Sequence, residues 1–219
     1  MKKIIVFLIA TVLAGCAGSG NKGVDCKNSA YYGYVNICLP EIKGMTECLA
    51  HENVTRIIQP YLASGPVLGY YLNNETYGKV DSLGLITYDT YFMLYGEYQH
   101  ENYPAAINDL ETKTAGLEKS LFDQEGFEQI EKNMGAVKAE KPVLLEKYSP
   151  HPNVRTMIVL MKYKSDGGEE TSVVSAANVI LVKQRLLNLA YYVAYSGVKS
   201  IDDLKQKNET VINAFLEAN

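Results

Sequence analysis

The chain has 219 residues, 21 basic and 25 acidic, with a formal net charge of −4. Its arginines are Arg56, Arg155 and Arg185, and no block of Lys or Arg occurs. The clustered positive charge of a phosphate-binding surface is therefore missing and no nucleic-acid partner is expected. The length suits one domain with a real core, and 17 tyrosines without a tryptophan point to strands and half-buried surfaces rather than sugar platforms.

The N-terminus opens with Lys2 and Lys3, followed by an apolar run over 4–13 and the small residues Ala14 and Gly15. That is the layout of a secretory signal peptide, and the run is too short for a membrane span of about 20 residues. Leu13-Ala14-Gly15-Cys16 resembles the bacterial lipobox, in which the cysteine is acylated and becomes the mature N-terminus. The resemblance implies a signal peptide over 1–15, lipidation at Cys16 (palmitate among the acyl chains) and a stable membrane anchor, because stable anchoring takes more than one chain. Loss of Lys2 and Lys3 would take the net charge from −4 to −6. Ala17, not Asp, follows the cysteine; by resemblance to Gram-negative sorting this favours the outer membrane in an organism that has one, with the periplasmic or surface face left open. Residues 16–30 are expected to be the lipidated cysteine and a Gly-rich flexible tether, and 31–219 a single domain.

Export implies an oxidising compartment, so Cys26, Cys38 and Cys48 should supply a disulfide. Three pairings are open; the ten-residue loop with Pro40 and Gly44 favours Cys38–Cys48. No CxxC and no nearby His pair occurs, so no metal site is expected.

Ordered structure is expected from near Tyr31, with a strand over 34–39 stopped by Pro40. Gly44-Met45-Thr46-Glu47 should lead into a helix whose inner face is Val54, Ile57, Ile58, Tyr61 and Leu62, kinked or cut short by Pro60. A strand over 67–72 follows Gly65-Pro66 and closes at Asn73-Asn74. The stretch 76–86 carries no regular signal. Tyr88, Tyr91, Tyr95 and Tyr98 mark a long strand over 88–98. Its tyrosines read as packing residues ahead of an aromatic ligand platform, and whether they are exposed stays open.

Ile107, Leu110, Thr114, Leu117 and Leu121 recur at helical spacing and predict an amphipathic helix over 104–121, with Pro104 in its first turn. Phe127, Ile130 and Met134 predict a shorter helix ending near Gly135. Four β-rich apolar runs follow, over 143–148, 154–163, 171–182 and 186–195. Asp166-Gly167-Gly168 and Lys183-Gln184-Arg185 join the last three as antiparallel hairpins. The fourth run is apolar on both faces, which places it mid-sheet under helices. Ser200-Ile201-Asp202-Asp203 opens a last helix with Leu204, Val211, Ile212, Phe215 and Leu216 inward.

The fold class is therefore α+β: an antiparallel sheet of about six to seven strands flanked by helices, closed by a C-terminal hairpin and helix. This element order over roughly residues 31–217, with the closing stretch ILVKQRLLNLAYYVAYSG…DDLKQK, resembles the PsbP/DcrB-like α/β/α sandwiches, a group that includes bacterial lipoproteins. The resemblance implies a non-enzymatic accessory, assembly or binding protein, and carries over no catalytic residue.

Motifs that specify a chemistry are missing. His51, His100 and His151 form no HExxH or other ligand pair and read as surface or turn residues. Leu62-Ala63-Ser64-Gly65-Pro66 is not a G-x-S-x-G elbow, and no P-loop or GxGxxG occurs. Asp81, Asp89, Glu97 and Glu101 could supply a glycosidase carboxylate pair, but nothing in the sequence sets two of them across a cleft. No catalytic residue and no cofactor is expected, and the ligand-binding residues are unknown. The leading expectation is a membrane-anchored binding or accessory module for an envelope protein or small ligand. A structural surface lipoprotein without a ligand and an envelope hydrolase are the alternatives.

Overall fold

The computed structural model describes residues 26–80, 90–123, 128, 138–164 and 170–219. The first element is a small hairpin, β1 (Ser29–Tyr32) and β2 (Val35–Cys38), turning at Gly33-Tyr34. The expected single strand over 34–39 is thus the return half of a hairpin. β1 also begins inside the stretch expected as tether.

Met45–Glu47 is a strand, β3, and not the approach to a helix. It pairs with β4 (Val67–Asn73), so Glu47 stands opposite Tyr71. Between them lie α1 (Glu52–Ile58) and a 3-10 segment, Gln59–Ala63, so the helix ends ahead of Pro60 as expected. Asn73 caps a short helix, α2 (Asn74–Tyr77), by accepting from the Thr76 amide at 2.8 Å. The tyrosine-dense strand is β5 (Thr90–Tyr95); Tyr98 already opens α3 (Tyr98–Glu101), and Tyr88 lies outside the described residues.

The amphipathic helix is α4 (Ile107–Phe122). Pro104 precedes it, and the first turn is tied down by the Asp109 carboxylate accepting from the Ala106 amide at 2.7 Å. The helix expected around Phe127, Ile130 and Met134 lies outside the described residues, as does the Asp166-Gly167-Gly168 join. After a two-residue strand β6 (Lys138–Ala139), the four apolar runs appear as β7 (Val143–Tyr148), β8 (Val154–Lys164), β9 (Glu170–Val182) and β10 (Arg185–Ala194). The last helix, α5 (Val198–Ala218), starts two residues before Ser200, whose hydroxyl instead accepts from the Ser196 amide.

β3 to β10 form one antiparallel sheet in the order β3-β4-β5-β10-β9-β8, with β6 and β7 pairing along the outer edge of β8. β10 lies between β5 and β9, the central position that its two apolar faces demand. Alternation along the strands divides the core in two. Tyr71, Phe92, Leu94, Val174, Ala176, Ile180, Leu187, Leu189 and Tyr191 face α5 and the β1–β2 hairpin. On the opposite face, α1 covers Tyr70, Leu72 and Met93, and α4 inserts Leu110 against Val179 and Leu186. The tyrosines of β5 belong to this packing. Tyr70, Tyr91 and Tyr192 form a stacked ladder with centroids 5.2 and 4.6 Å apart, and Tyr71 stacks on Phe92 at 4.1 Å.

The cysteine pairing differs from expectation. Cys26 is bridged to Cys38, with Cα atoms 5.4 Å apart, and Cys48 is free. Cys48, directly after β3, points inward, where it is 5 % exposed, donates to the Tyr70 carbonyl and has its thiol pushed up to about 12 by burial. The loop containing Pro40 and Gly44 leads into the sheet instead of folding back on Cys38.

Candidate functional site

The α4 face carries a groove of about 840 Å³, framed by α3, the connection to α4, the outer side of α4 and Ser64 at the end of the 3-10 segment. Three features of the chain build it. Gly65-Pro66 brings the 3-10 segment against the end of β5, where the Gly96 amide donates to the Pro66 carbonyl. Gly96 lies so close to Tyr32 that any Cβ there would collide with the ring. Tyr32, reaching through from the opposite face, accepts from the Glu97 amide at 3.0 Å and donates to the Glu97 carbonyl at 2.8 Å. The backbone of Glu97 is thereby held from one side of the sheet while its carboxylate enters the groove on the other.

That carboxylate is the centre of the site. Oε1 receives the Lys113 ammonium in a close contact and the Asn188 amide at 3.3 Å. Oε2 receives Gln99 at 2.7 Å and lies 3.7 Å from His100 Nε2. The pair is well enclosed, with side chains 18 % (Glu97) and 13 % (Lys113) exposed. Burial by itself would raise the Glu97 carboxyl, but hydrogen bonds from Lys113 and Gln99, with the charges of Lys113 and His100, outweigh it and hold it below the usual carboxylate range. Both oxygens are occupied and the charge is matched, so the group is a fixed ionic strut with little freedom to take up a proton. Tyr98 and Tyr103, 55 % and 72 % exposed, stand at the groove, with Thr112, Gly116 and Ser120 along the α4 wall.

Of the candidate residues singled out in the sequence, the structure brings Glu97, His100 and Tyr98 together here among the described residues. His51 caps α1, its Nδ1 accepting from the Asn53 amide at 3.3 Å, and His151 does the same for Asn153 at 3.2 Å. Glu101 ends α3 outside the groove lining, its carbonyl against Gly33. Asp81 and Asp89 lie outside the described residues. Among the described residues, no group of three or more His, Cys, Asp or Glu is placed to hold a metal ion. No helix among them is long and apolar enough to cross a membrane.

Lys113, Gln99 and Asn188 were not legible as site residues. Lys113 stands one turn after Leu110 and one before Leu117, a spacing that hints at an inward lysine but reads equally as the edge of a solvated face.

No family model matches the chain, and no curated protein sequence matches it. Among solved structures, the chain is similar to a point mutant of the protein Mog1, at 11% identity, 87% coverage of this chain, 90% of that one and a TM-score of 0.35.

Proposed function

We propose that this protein is an envelope lipoprotein, anchored through Cys16 to the outer membrane, whose PsbP/DcrB-like domain binds a partner or small ligand in the α4-face groove without chemical turnover. The observation that carries the binding reading is the neutralisation of Glu97 by Lys113. A general base works best with a pKa near the working pH. This carboxylate is already bonded by Lys113, Gln99 and Asn188, and its pKa is pushed below the ordinary carboxylate range, away from the working pH. A rigid ion pair beneath exposed tyrosines is instead suited to recognition, offering aromatic surface and fixed donors at little entropic cost.

Two experiments test the reading. Metabolic labelling with a fatty-acid analogue should mark the wild type and leave Cys16→Ser unlabelled; an unlabelled wild type would overturn the anchor. For the groove, Gly116→Phe supplies a plug, since a Cβ at Gly116 meets nothing within 4 Å. Crosslinked capture from native envelopes should retain a partner or ligand on the wild type and lose it on Gly116→Phe. Equal retention would remove the groove from the function. Turnover of an ester, peptide or glycoside substrate that Glu97→Gln abolishes would replace binding with catalysis.

A further inference from the structure

The β1–β2 turn breaks a local rule. Gly33 and Tyr34 both have positive φ, 56° and 67°, as in the two-residue hairpin turns that favour Asn-Gly, Asp-Gly or Gly-Gly. Gly33 has a reason to be glycine: a Cβ there would collide with the Glu101 carbonyl and the Arg185 side chain. Tyr34 has no such local reason. A bulky residue in the left-handed region is a strained choice, and its ring is 72 % exposed, turned away from the domain. Tyr31, 65 % exposed, stands beside the same turn, opposite Asn36.

The tip is also held firmly. Arg185 Nε donates to the Gly33 carbonyl at 2.6 Å, and Lys183 Nζ donates to the Asn36 carbonyl at 2.7 Å. Strain and exposure maintained on a braced support point to something outside the domain that the aromatic rings meet.

The disulfide indicates what that is. The Cys26–Cys38 bridge closes the base of the hairpin, and Cys38 is three residues from Val35, about 10 Å along the strand. Cys16 is ten residues before Cys26, so a lipid there connects to the hairpin base through at most about 36 Å of chain. The C-terminus of α5 meets the same point: Asn219 accepts from the Cys38 amide at 2.8 Å and donates to its carbonyl at 2.9 Å. The other end of this 21-residue helix, at Val198, is therefore about 30 Å from the hairpin base. A tether fastened at one pole brings that pole to the bilayer more often than the other.

We propose that the hairpin tip, Tyr34 with Tyr31 beside it, rests in the headgroup interface of the membrane that holds the Cys16 lipid. Tyrosine suits that layer because its ring is apolar and its hydroxyl wet. The chain is acidic overall, so the contact is aromatic and should persist at high salt. This inference rests on the Cys16 anchor, and its test separates the two.

The chain contains no tryptophan, so single indoles report without background. Lipidated full-length protein carrying Tyr34→Trp, Tyr31→Trp or Val198→Trp would be reconstituted on phosphatidylcholine/phosphatidylglycerol vesicles containing brominated lipid. Val198 is 71 % exposed and serves as the distal control. Flotation of the vesicles reports the anchor alone. Emission should be blue-shifted and quenched at least twofold more for positions 31 and 34 than for 198, unchanged by molar salt. Floating protein with equal quenching at all three positions overturns the docking while sparing the anchor; failure to float overturns both. A Tyr34→Trp shift seen only in native envelopes, and not on pure lipid, overturns the bilayer as occupant in favour of an envelope protein.

Discussion

Asn178 in β9 and Asn208 in α5 pair amide to amide inside the core. Asn178 Nδ2 donates to Asn208 Oδ1 at 2.8 Å and Asn208 Nδ2 donates to Asn178 Oδ1 at 3.0 Å, with neither residue more than 1 % exposed. Asn178 also donates to the Leu189 carbonyl at 2.8 Å and accepts from Thr156 Oγ1 at 2.7 Å, so one polar network joins β8, β9, β10 and the closing helix. In an apolar core such a network tolerates only one placement of the helix on the sheet.

Asn208→Leu should therefore lower stability by about 1–3 kcal/mol, because it removes two buried hydrogen bonds, one accepted and one donated by the Asn178 amide. Combined with Asn178→Val, the loss should be smaller than the sum of the single losses, as expected of directly coupled residues. Urea unfolding of the two single variants and the double variant measures both quantities.

The Glu97–Lys113 pair has a pH signature. Glu97 has a folded pKa below its ordinary value of 4.5, so the stability it supplies is complete above about pH 4.5 and is lost as pH falls from there through the folded value. Glu97→Gln should flatten that acid limb. Lys113→Met should cost about 1–3 kcal/mol at pH 7 by stranding an enclosed carboxylate, and less near pH 4, where the carboxyl can take up a proton. Thermal melts from pH 3 to 8 test the sign.

Peptide mapping without reduction should recover Cys26 linked to Cys38. Opening this bridge with Cys26→Ser should cost about 2–3 kcal/mol, the loop-closure value for a ring of this size. Cys48 should resist alkylation at pH 8 in the folded protein and react once unfolded, because its buried thiol is pushed up to about 12.

Two backbone substitutions should raise stability. Gly116→Ala, in the interior of α4 with open space for the methyl, should add about 0.5–1 kcal/mol. Tyr34→Asn, which suits a left-handed φ, should add about 0.5–1 kcal/mol in solution while weakening the contact of the hairpin tip with vesicles. Calorimetry of the soluble domain alongside vesicle quenching separates stability from function at that position.

The strands of the second half were legible because each carries a long β-branched and aromatic run, and β7 has the bounds its apolar run predicts. Met45–Glu47 was not, since three residues of intermediate burial carry no period and gain their strand geometry from β4. Asn208 lies on the buried face shared with Leu204, Val211 and Ile212, but its polarity concealed it from a reading based on apolar spacing. Of the groove, Glu97, Tyr98 and His100 stand out in the sequence, but not as one site. Their partners Lys113 and Asn188 come from a helix and a strand distant in sequence, and pairing across that distance leaves no local trace.

The α+β class, the central place of β10 and the apolar stripe of the closing helix are all written in the order of the residues. They follow from periodicity and side-chain volume, which act within a few residues along the chain. Tertiary structure alone decided which cysteines meet, which carboxylate is neutralised and where the strained tyrosine points. Those outcomes depend on distances between segments far apart in sequence, and the register of the sheet and the seating of the hairpin set those distances.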